Sequence, residues 1–83
     1  MPLFLDIHRN LQGVTASAGA EAHQKDLAAQ AKYGVRYHRY WVDEQTGTVF
    51  CLVEAPSREA AAQVHREAHG LIADEIYAVV EGA

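Results

Sequence analysis

The chain has 83 residues, enough for one domain with a thin core, and a formal net charge of −4 with its histidines neutral. The acidic balance and the lack of a basic cluster argue against a nucleic-acid partner. The single cysteine, Cys51, excludes an intrachain disulfide and fits a reducing compartment, and no segment resembles a signal peptide or a membrane span. We therefore expect one domain over residues 1–83, a cytoplasmic location and no membrane partner.

The first predicted strand, Leu3–His8, has two unlike faces, because successive side chains of a strand point to opposite sides. One face is wholly apolar, and the other carries Phe4, Asp6 and His8. The Asp6 and His8 side chains are neighbours, with Cα atoms about 7 Å apart, and are close enough to share an ion or a hydrogen bond. A solvated strand end is the alternative interpretation of this pair.

A helix is predicted to follow an N-cap at Thr15 and to continue to roughly Tyr33, with Gly34 as its left-handed stop. Its alanines favour helix formation. Its inward face, which is expected to include Ala20 and Leu27, is built mostly from small residues. We therefore expect this helix to lie close against a sheet.

Two further strands form a predicted hairpin. Val35–Val42 is rich in β-branched and aromatic residues, Asp43–Gly47 has turn composition, and Thr48–Glu54 is nearly all apolar. The apolar run predicts a central strand that is covered on both faces. Most registers place Arg39 on the same face as Cys51, although a slip of one residue reverses this. Apolar surroundings should keep Cys51 protonated and inert.

A second helix is predicted over Ser57–Gly70, with a serine N-cap at its start and a left-handed glycine at its end. His65 and His69 are four residues apart, so they stack on one flank of this helix and, if they face outward, can both reach a divalent ion. A pair without metal is the alternative. Glu67 lies roughly 200° around the helix from His65, so the zincin pattern and a general base are both absent.

Glu75–Glu81 is the last predicted strand and completes the order β-α-β-β-α-β. This order predicts an α+β, ferredoxin-like fold, with an antiparallel sheet and two helices on one face. The other face should be uncovered and carry Phe4, an aromatic residue of the second strand, and Tyr77 or Ile76. An apolar surface of that size predicts a homodimer, formed sheet to sheet or along an edge.

Five stretches of the chain are familiar as a set: Asp6–Arg9, Glu21–His23, Tyr33–Val35, Phe50–Pro56 and Val64–Gly70. Together they resemble a family of small bacterial proteins, formerly a domain of unknown function, that includes nickel-binding, nickel-responsive members. The resemblance covers nearly the whole chain. It implies a ferredoxin-like subunit, a dimer and binding of divalent nickel for sequestration or homeostasis, and it implies no reaction.

The chemistry of the side chains agrees with a nickel protein, because nickel(II) takes imidazole, carboxylate and water ligands. The metal ligands that we expect are His65, His69, His8, Asp6 and His23. Zinc or copper would bind the same groups. His23 also lies one helical turn from Asp26, and for this pair the spacing favours a local hydrogen bond over a shared ion. The site should be open and lie at the surface, and it should weaken below about pH 6, because protonated imidazole cannot ligate.

Two other classes of function remain open. One is an enzyme, an oxygenase or isomerase of the dimeric α+β barrel type, whose cleft would be lined by Asp6, His8, Tyr37 and Arg39. This hypothesis depends on fold analogy, which is weak support for a function. The other is an interaction module whose histidines are incidental. It predicts that untagged protein carries no metal and that a chelator does not change its assembly.

Overall fold

The structure is a computed structural model that describes residues 1–82. Its elements are β1 (Leu3–His8), α1 (Ala16–Ala29), a 3-10 turn (Gln30–Tyr33), β2 (Arg36–Asp43), β3 (Thr48–Glu54), α2 (Arg58–Ala68) and β4 (Glu75–Val79). The sheet has the order β2-β3-β1-β4, and all of its neighbouring strands are antiparallel. The two helices pack against each other on one face of the sheet. This confirms the predicted ferredoxin-like α+β fold.

The predicted start and stop signals of both helices are present. The Thr15 side chain accepts a hydrogen bond from the first turn of α1, and the Ser57 side chain does the same for α2. Beyond α1, the 3-10 turn continues the helical path to Tyr33 and ends at Gly34, which has φ +67°. Gly70 follows α2 with φ +80°, a conformation that glycine adopts without steric cost.

The helices cover the face of the sheet that carries Phe4 and Asp6. Cross-strand pairing puts Phe4 opposite Val53 and Asp6 opposite Cys51, and all four side chains are buried. Phe4 is 5% exposed, so its predicted place on the uncovered face is wrong. The alternation along β1 was predicted correctly, but both of its faces carry apolar residues. Packing partners elsewhere in the chain decide which face is covered.

A bulge in β2 overturns the predicted orientation of Arg39. The register shifts between Tyr37 and Arg39, and the extra residue inverts the alternation of the side chains that follow it. Arg39 therefore pairs with Leu52 on the uncovered face, while Tyr40 pairs with Cys51 beneath the helices. Arg39 and Cys51 lie on opposite faces of the sheet, contrary to the prediction.

Helix α1 does lie close to the sheet, but with a different face from the predicted one. Its buried residues are Gly19 and Asp26, whereas Ala20 is exposed and Leu27 is 37% exposed. A Cβ atom at Gly19 would lie 2.7 Å from Cγ2 of Val42. The missing side chain lets the helix backbone approach β2 directly, and this approach carries Asp26 into the interior.

The other face of the sheet has no helix over it and is rich in apolar side chains. Trp41 and Tyr77 are 49% and 50% exposed, and Leu5, Phe50 and Leu52 are half-buried beside them. No helix within residues 1–82 is long and apolar enough to cross a membrane.

Candidate metal centre

Four carboxylate and imidazole side chains are buried between the helices and the sheet: Asp6, His8, Asp26 and His65. They come from β1, α1 and α2, so the cluster forms only when all three elements pack together. Burying charged groups is costly unless each is paired. A chain with a thin core therefore needs a specific arrangement of partners to hold this cluster.

His65 lies at the centre of this arrangement, between two carboxylates. Its Nδ1 donates to Oδ1 of Asp26 at 2.8 Å, and its Nε2 donates to Oδ2 of Asp6 at 3.0 Å. Burial by itself would lower the pKa of His65, but the hydrogen bonds to Asp26 and Asp6 outweigh burial and raise the pKa to about 9. The ring is therefore a buried imidazolium at neutral pH.

The two carboxylates are held in their charged form by the same contacts. Burial would raise the pKa of Asp6, but the hydrogen bond from His65 and the nearby ring of His8 hold the pKa well below its usual range. The pKa of Asp26 is lowered as well, because hydrogen bonds from His65 and His69 outweigh the effect of burial. The cluster thus holds two negative charges around one positive ring.

One carboxylate oxygen of the cluster lacks a partner. Oδ1 of Asp6 is buried and accepts no hydrogen bond from any residue of the described chain. Nε2 of His8 lies 3.4 Å from this oxygen, and the same nitrogen lies 3.3 Å from Nε2 of His65. A buried carboxylate oxygen beside two imidazole nitrogens is an arrangement that a cation would complete. The residues present therefore fit a metal ion.

Two neutral side chains border Asp6. The Tyr37 hydroxyl lies 3.1 Å from Oδ2 of Asp6 and 3.1 Å from the main-chain oxygen of Ala61, and it donates its one proton to either. Burial first, and then the nearby carboxylates, raise the pKa of Tyr37. Burial likewise raises the pKa of the Cys51 thiol, as the sequence predicted.

Within residues 1–82, two overlapping sets of donor atoms could hold an ion. The first set is Asp6, His8, Cys51 and His65, and the second is Asp26, His65 and His69. In each set the ligand atoms all lie within 4.8 Å of one another. His65 belongs to both, so the two sets compete for one ring.

The structure brings together four of the five predicted ligands: Asp6, His8, His65 and His69. The fifth, His23, stacks on Tyr40 with ring centroids 4.8 Å apart and belongs to neither donor set. The expected open surface site is wrong, because His65 is only 1% exposed. It directly follows the buried Val64 on α2 and faces the sheet, while His69, one turn later, reaches the rim.

Asp26 is the residue of the cluster whose partner was predicted wrongly. It was expected to bond to His23, but its Oδ1 accepts from His65 and lies 3.2 Å from Nε2 of His69. The position of Asp26 in the sequence does indicate that it is buried. Gly19, Ala22 and Asp26 recur at helical spacing along α1 and mark a stripe of small residues, and an aspartate in such a stripe faces the interior.

A cavity of about 90 Å³ lies beside the cluster, between α1 and the sheet. Most of its wall is apolar, and its polar lining residues are His8, His23, Asp26, Tyr40, Cys51, His65 and His69. Of the four residues predicted to line an enzyme cleft, only His8 borders this cavity. Arg39 is on the other face of the sheet, so the structure does not assemble the predicted cleft.

Comparison with known proteins agrees with the fold. The family model described as nickel responsive protein SCO4226-like matches residues 4–79. The crystal structure of SCO4226 from Streptomyces coelicolor A3(2) is similar to this chain with a TM-score of 0.91 and 42% sequence identity. The match covers 98% of this chain and 99% of that chain. No curated protein is significantly similar to the chain.

Proposed function

The chain belongs to the family of nickel-responsive SCO4226-like proteins, and from that premise we propose that it binds a divalent transition metal, nickel first, at the buried cluster. The observation that carries this proposal is the unpartnered Oδ1 of Asp6, which lies beside the imidazole nitrogens of His8 and His65. Asp26 and His69 form the adjoining half of the site. His23 lies outside both halves.

The donor atoms of the cluster suit nickel, and they suit zinc and copper as well. Imidazole nitrogen and carboxylate oxygen suit nickel, zinc and copper, and affinities follow the Irving–Williams order. The Cys51 thiol is neutral at physiological pH because burial raises its pKa, so nitrogen and oxygen dominate the donor set. We propose nickel because the family is described as nickel responsive.

Protons compete with the metal for this site. The pKa of His65 is about 9, so at neutral pH the ring holds a proton that an incoming ion must displace. Affinity should therefore rise by up to about tenfold per pH unit between pH 6 and 8. Isothermal titration calorimetry in buffers of different ionisation enthalpy measures the released protons. Binding without proton release would contradict the involvement of His65.

The direct test is calorimetric titration of untagged, chelator-treated protein with nickel chloride at pH 7.5. We expect saturable binding that weakens by about tenfold or more in His8→Gln and in His69→Gln, because each substitution removes one imidazole. His38→Gln is the matched control, since His38 pairs with Glu54 at 2.9 Å on the exposed part of β2. No heat in the wild type, or equal weakening in the control, would reject the proposal.

We further propose that two copies assemble over the uncovered face of the sheet. The face exposes Trp41 and Tyr77 beside half-buried aliphatic residues, and a contiguous apolar surface is typical of an interface. Size-exclusion chromatography with light scattering should give twice the monomer mass at micromolar concentration. A monomer mass under those conditions would contradict this assembly.

The biological role that follows is nickel sequestration or homeostasis, without catalysis. A cell that overproduces the chain should tolerate more nickel than one that overproduces His8→Gln. Equal tolerance, with both proteins folded and equally abundant, would leave metal binding intact and reject sequestration.

A further inference from the structure

The cavity between α1 and the sheet joins the buried cluster to the surface of the protein. We propose that this cavity is the route by which a divalent cation reaches the cluster, and that the side chain of Leu71 is the gate of the route. This route rests on the metal binding proposed above and adds how the site is entered. Side chains that hold no ion should therefore control how fast an ion binds and leaves.

The residues that line the cavity extend from the interior to the surface. His8 and His65 are 4% and 1% exposed, whereas Leu71 is 45% exposed and Ala18 on α1 is exposed as well. One cavity therefore contacts both the buried imidazoles and side chains that solvent reaches. Its volume is about 90 Å³, and one water needs about 10–15 Å³. An ion can fit there together with some of its waters.

The other sides of the cluster are closed. The ring of Tyr37 packs on His65 with centroids 4.5 Å apart, and its hydroxyl lies 3.1 Å from Oδ2 of Asp6. Tyr37 is 3% exposed and does not line the cavity. Within the sheet, Asp6 pairs with Cys51 on one side and with Ile76 on the other. Entry from these directions would require strands or helices to separate, so the cavity is the route that needs the smallest movement.

The charges of the cluster and the wall of the cavity favour the entry of a cation. Asp6 and Asp26 are both ionised and share the one positive ring of His65, so the cluster is net negative. Most of the wall is apolar, and a cleft with walls of low dielectric focuses the field of the charges inside it. Asp26, His23 and His69 also line the cavity. These side chains can replace some of the waters of the entering ion.

Leu71 belongs to the part of the cavity wall that is held least firmly. It lies in the connection between α2 and β4, which has no regular secondary structure. At one end of this connection, the main-chain nitrogen of Leu71 donates to Nδ1 of His69 at 3.1 Å. At the other end, the main-chain nitrogen of Asp74 donates to the main-chain oxygen of Ile7 at 2.9 Å. The segment between these two anchors can shift without breaking a helix or a strand.

The rates of nickel binding and release test the gate. Stopped-flow mixing of the chelator-treated chain with nickel and a metallochromic indicator measures binding, and mixing of the loaded chain with excess EDTA measures release. Leu71→Ala should raise both rates several-fold and change the dissociation constant by less than about twofold, because an entrance affects both directions equally. Ile72→Ala is the matched control, since Ile72 is 41% exposed in the same connection and does not line the cavity. Unchanged rates in Leu71→Ala, or equal acceleration in Ile72→Ala, would overturn the gate.

Cys51 provides a second test that does not need nickel. Its thiol lines the same cavity and is 7% exposed. Methylmercury chloride is a small reagent that replaces the thiol proton, and mass spectrometry follows the labelling in the presence of EDTA. Labelling should be faster than in the wild type for Leu71→Ala and slower for Ala22→Leu, which fills the cavity. Ala18→Leu at the exposed rim replaces Ala22→Leu if that variant does not fold.

The two measurements distinguish failure of the route from failure of the metal site. Labelling of Cys51 that depends on Leu71 and Ala22, without any nickel binding, would reject the metal site and support the cavity as the entrance to the cluster. Equal labelling rates in the wild type and in all folded variants would overturn the route, even if nickel binds as proposed.

Discussion

The two faces of the sheet differ in what they bury and what they expose. The face under the helices buries charged groups, Asp6 and His65 among them, whereas the open face leaves Trp41 and Tyr77 half exposed. A domain this small would gain more stability from the opposite arrangement. This contrast is what the proposed metal site would explain on the buried face and what the proposed dimer would explain on the open face.

The largest expected effect comes from removing the imidazole ring of His65. His65→Ala leaves the carboxylates of Asp6 and Asp26 buried without their shared cation. We expect a loss of about 3–5 kcal/mol in the free energy of unfolding, because a broken buried ion pair leaves uncompensated charge. Urea denaturation followed by circular dichroism measures it. His38→Ala, on the exposed strand, should stay within about 0.5 kcal/mol of the wild type.

Equal losses in these two variants would contradict the account of the buried face. If His65→Ala does not fold at all, the double variant with Asp26→Asn should recover part of the stability, because it removes one of the unpaired charges.

The second prediction concerns pH and the metal-free protein. The pKa of His65 is raised from 6.5 to about 9, so its contribution to stability is complete below pH 6.5 and is lost as pH rises through about 9. The lowered pKa values of Asp6 and Asp26 contribute stability above about pH 4 that is lost on acidification. Stability should therefore be highest between about pH 4 and 6.5 and fall by about 2–3 kcal/mol by pH 9.

Urea denaturation across this pH range checks the profile. A flat profile from pH 6.5 to 9 would show that His65 does not carry a buried charge. The metal-bound protein should respond in the opposite direction, because nickel binding strengthens as protons leave the ring.

The buried cluster and the bulge in β2 show most clearly which features could be predicted from the sequence and which could not. Helix limits were predictable, because Thr15, Ser57 and Gly34 act on their own turns of chain. The burial of His65 could not be predicted, because its partners Asp26 and Asp6 lie 39 and 59 residues away in the sequence. Local patterns place His65 on a flank of α2, and only the packing of α1 and β1 decides that the flank is interior.

The bulge gives the same lesson for the sheet. Strict alternation along β2 predicts one face for Tyr37 and Arg39, and the extra residue between them separates the two. No glycine or proline marks this position in the sequence. The bulge is one reason why the predicted enzyme cleft is not formed, since it puts Arg39 on the other face of the sheet.

The third prediction concerns the open face. Trp41→Arg puts a charge where we propose that a second copy packs, and the dimer dissociation constant should rise by about tenfold or more. Leu27→Arg is the control, because Leu27 is 37% exposed on the outer side of α1, away from the sheet. Light scattering over a dilution series measures both variants. Equal dissociation in the two would place the interface elsewhere.

The smallest expected effect concerns the N-cap of α2, one of the two helices that cover the buried face. Ser57 caps α2 by accepting a hydrogen bond from the main-chain nitrogen of Ala60 at 3.1 Å. Ser57→Ala should lower the free energy of unfolding by about 1 kcal/mol, and Ser57→Asp should retain most of it. Thermal denaturation checks both. An aspartate variant as unstable as the alanine variant would show that the cap contributes little.

The central claim is that the buried carboxylate and imidazole groups hold the metal, and a nickel-loaded crystal tests it most directly. An anomalous difference map collected at the nickel absorption edge locates the ion without reference to any assumed site. We expect a peak about 2 Å from Oδ1 of Asp6 and from Nε2 of His8. Peaks confined to exposed side chains such as His38, with the buried cluster unchanged, would contradict it.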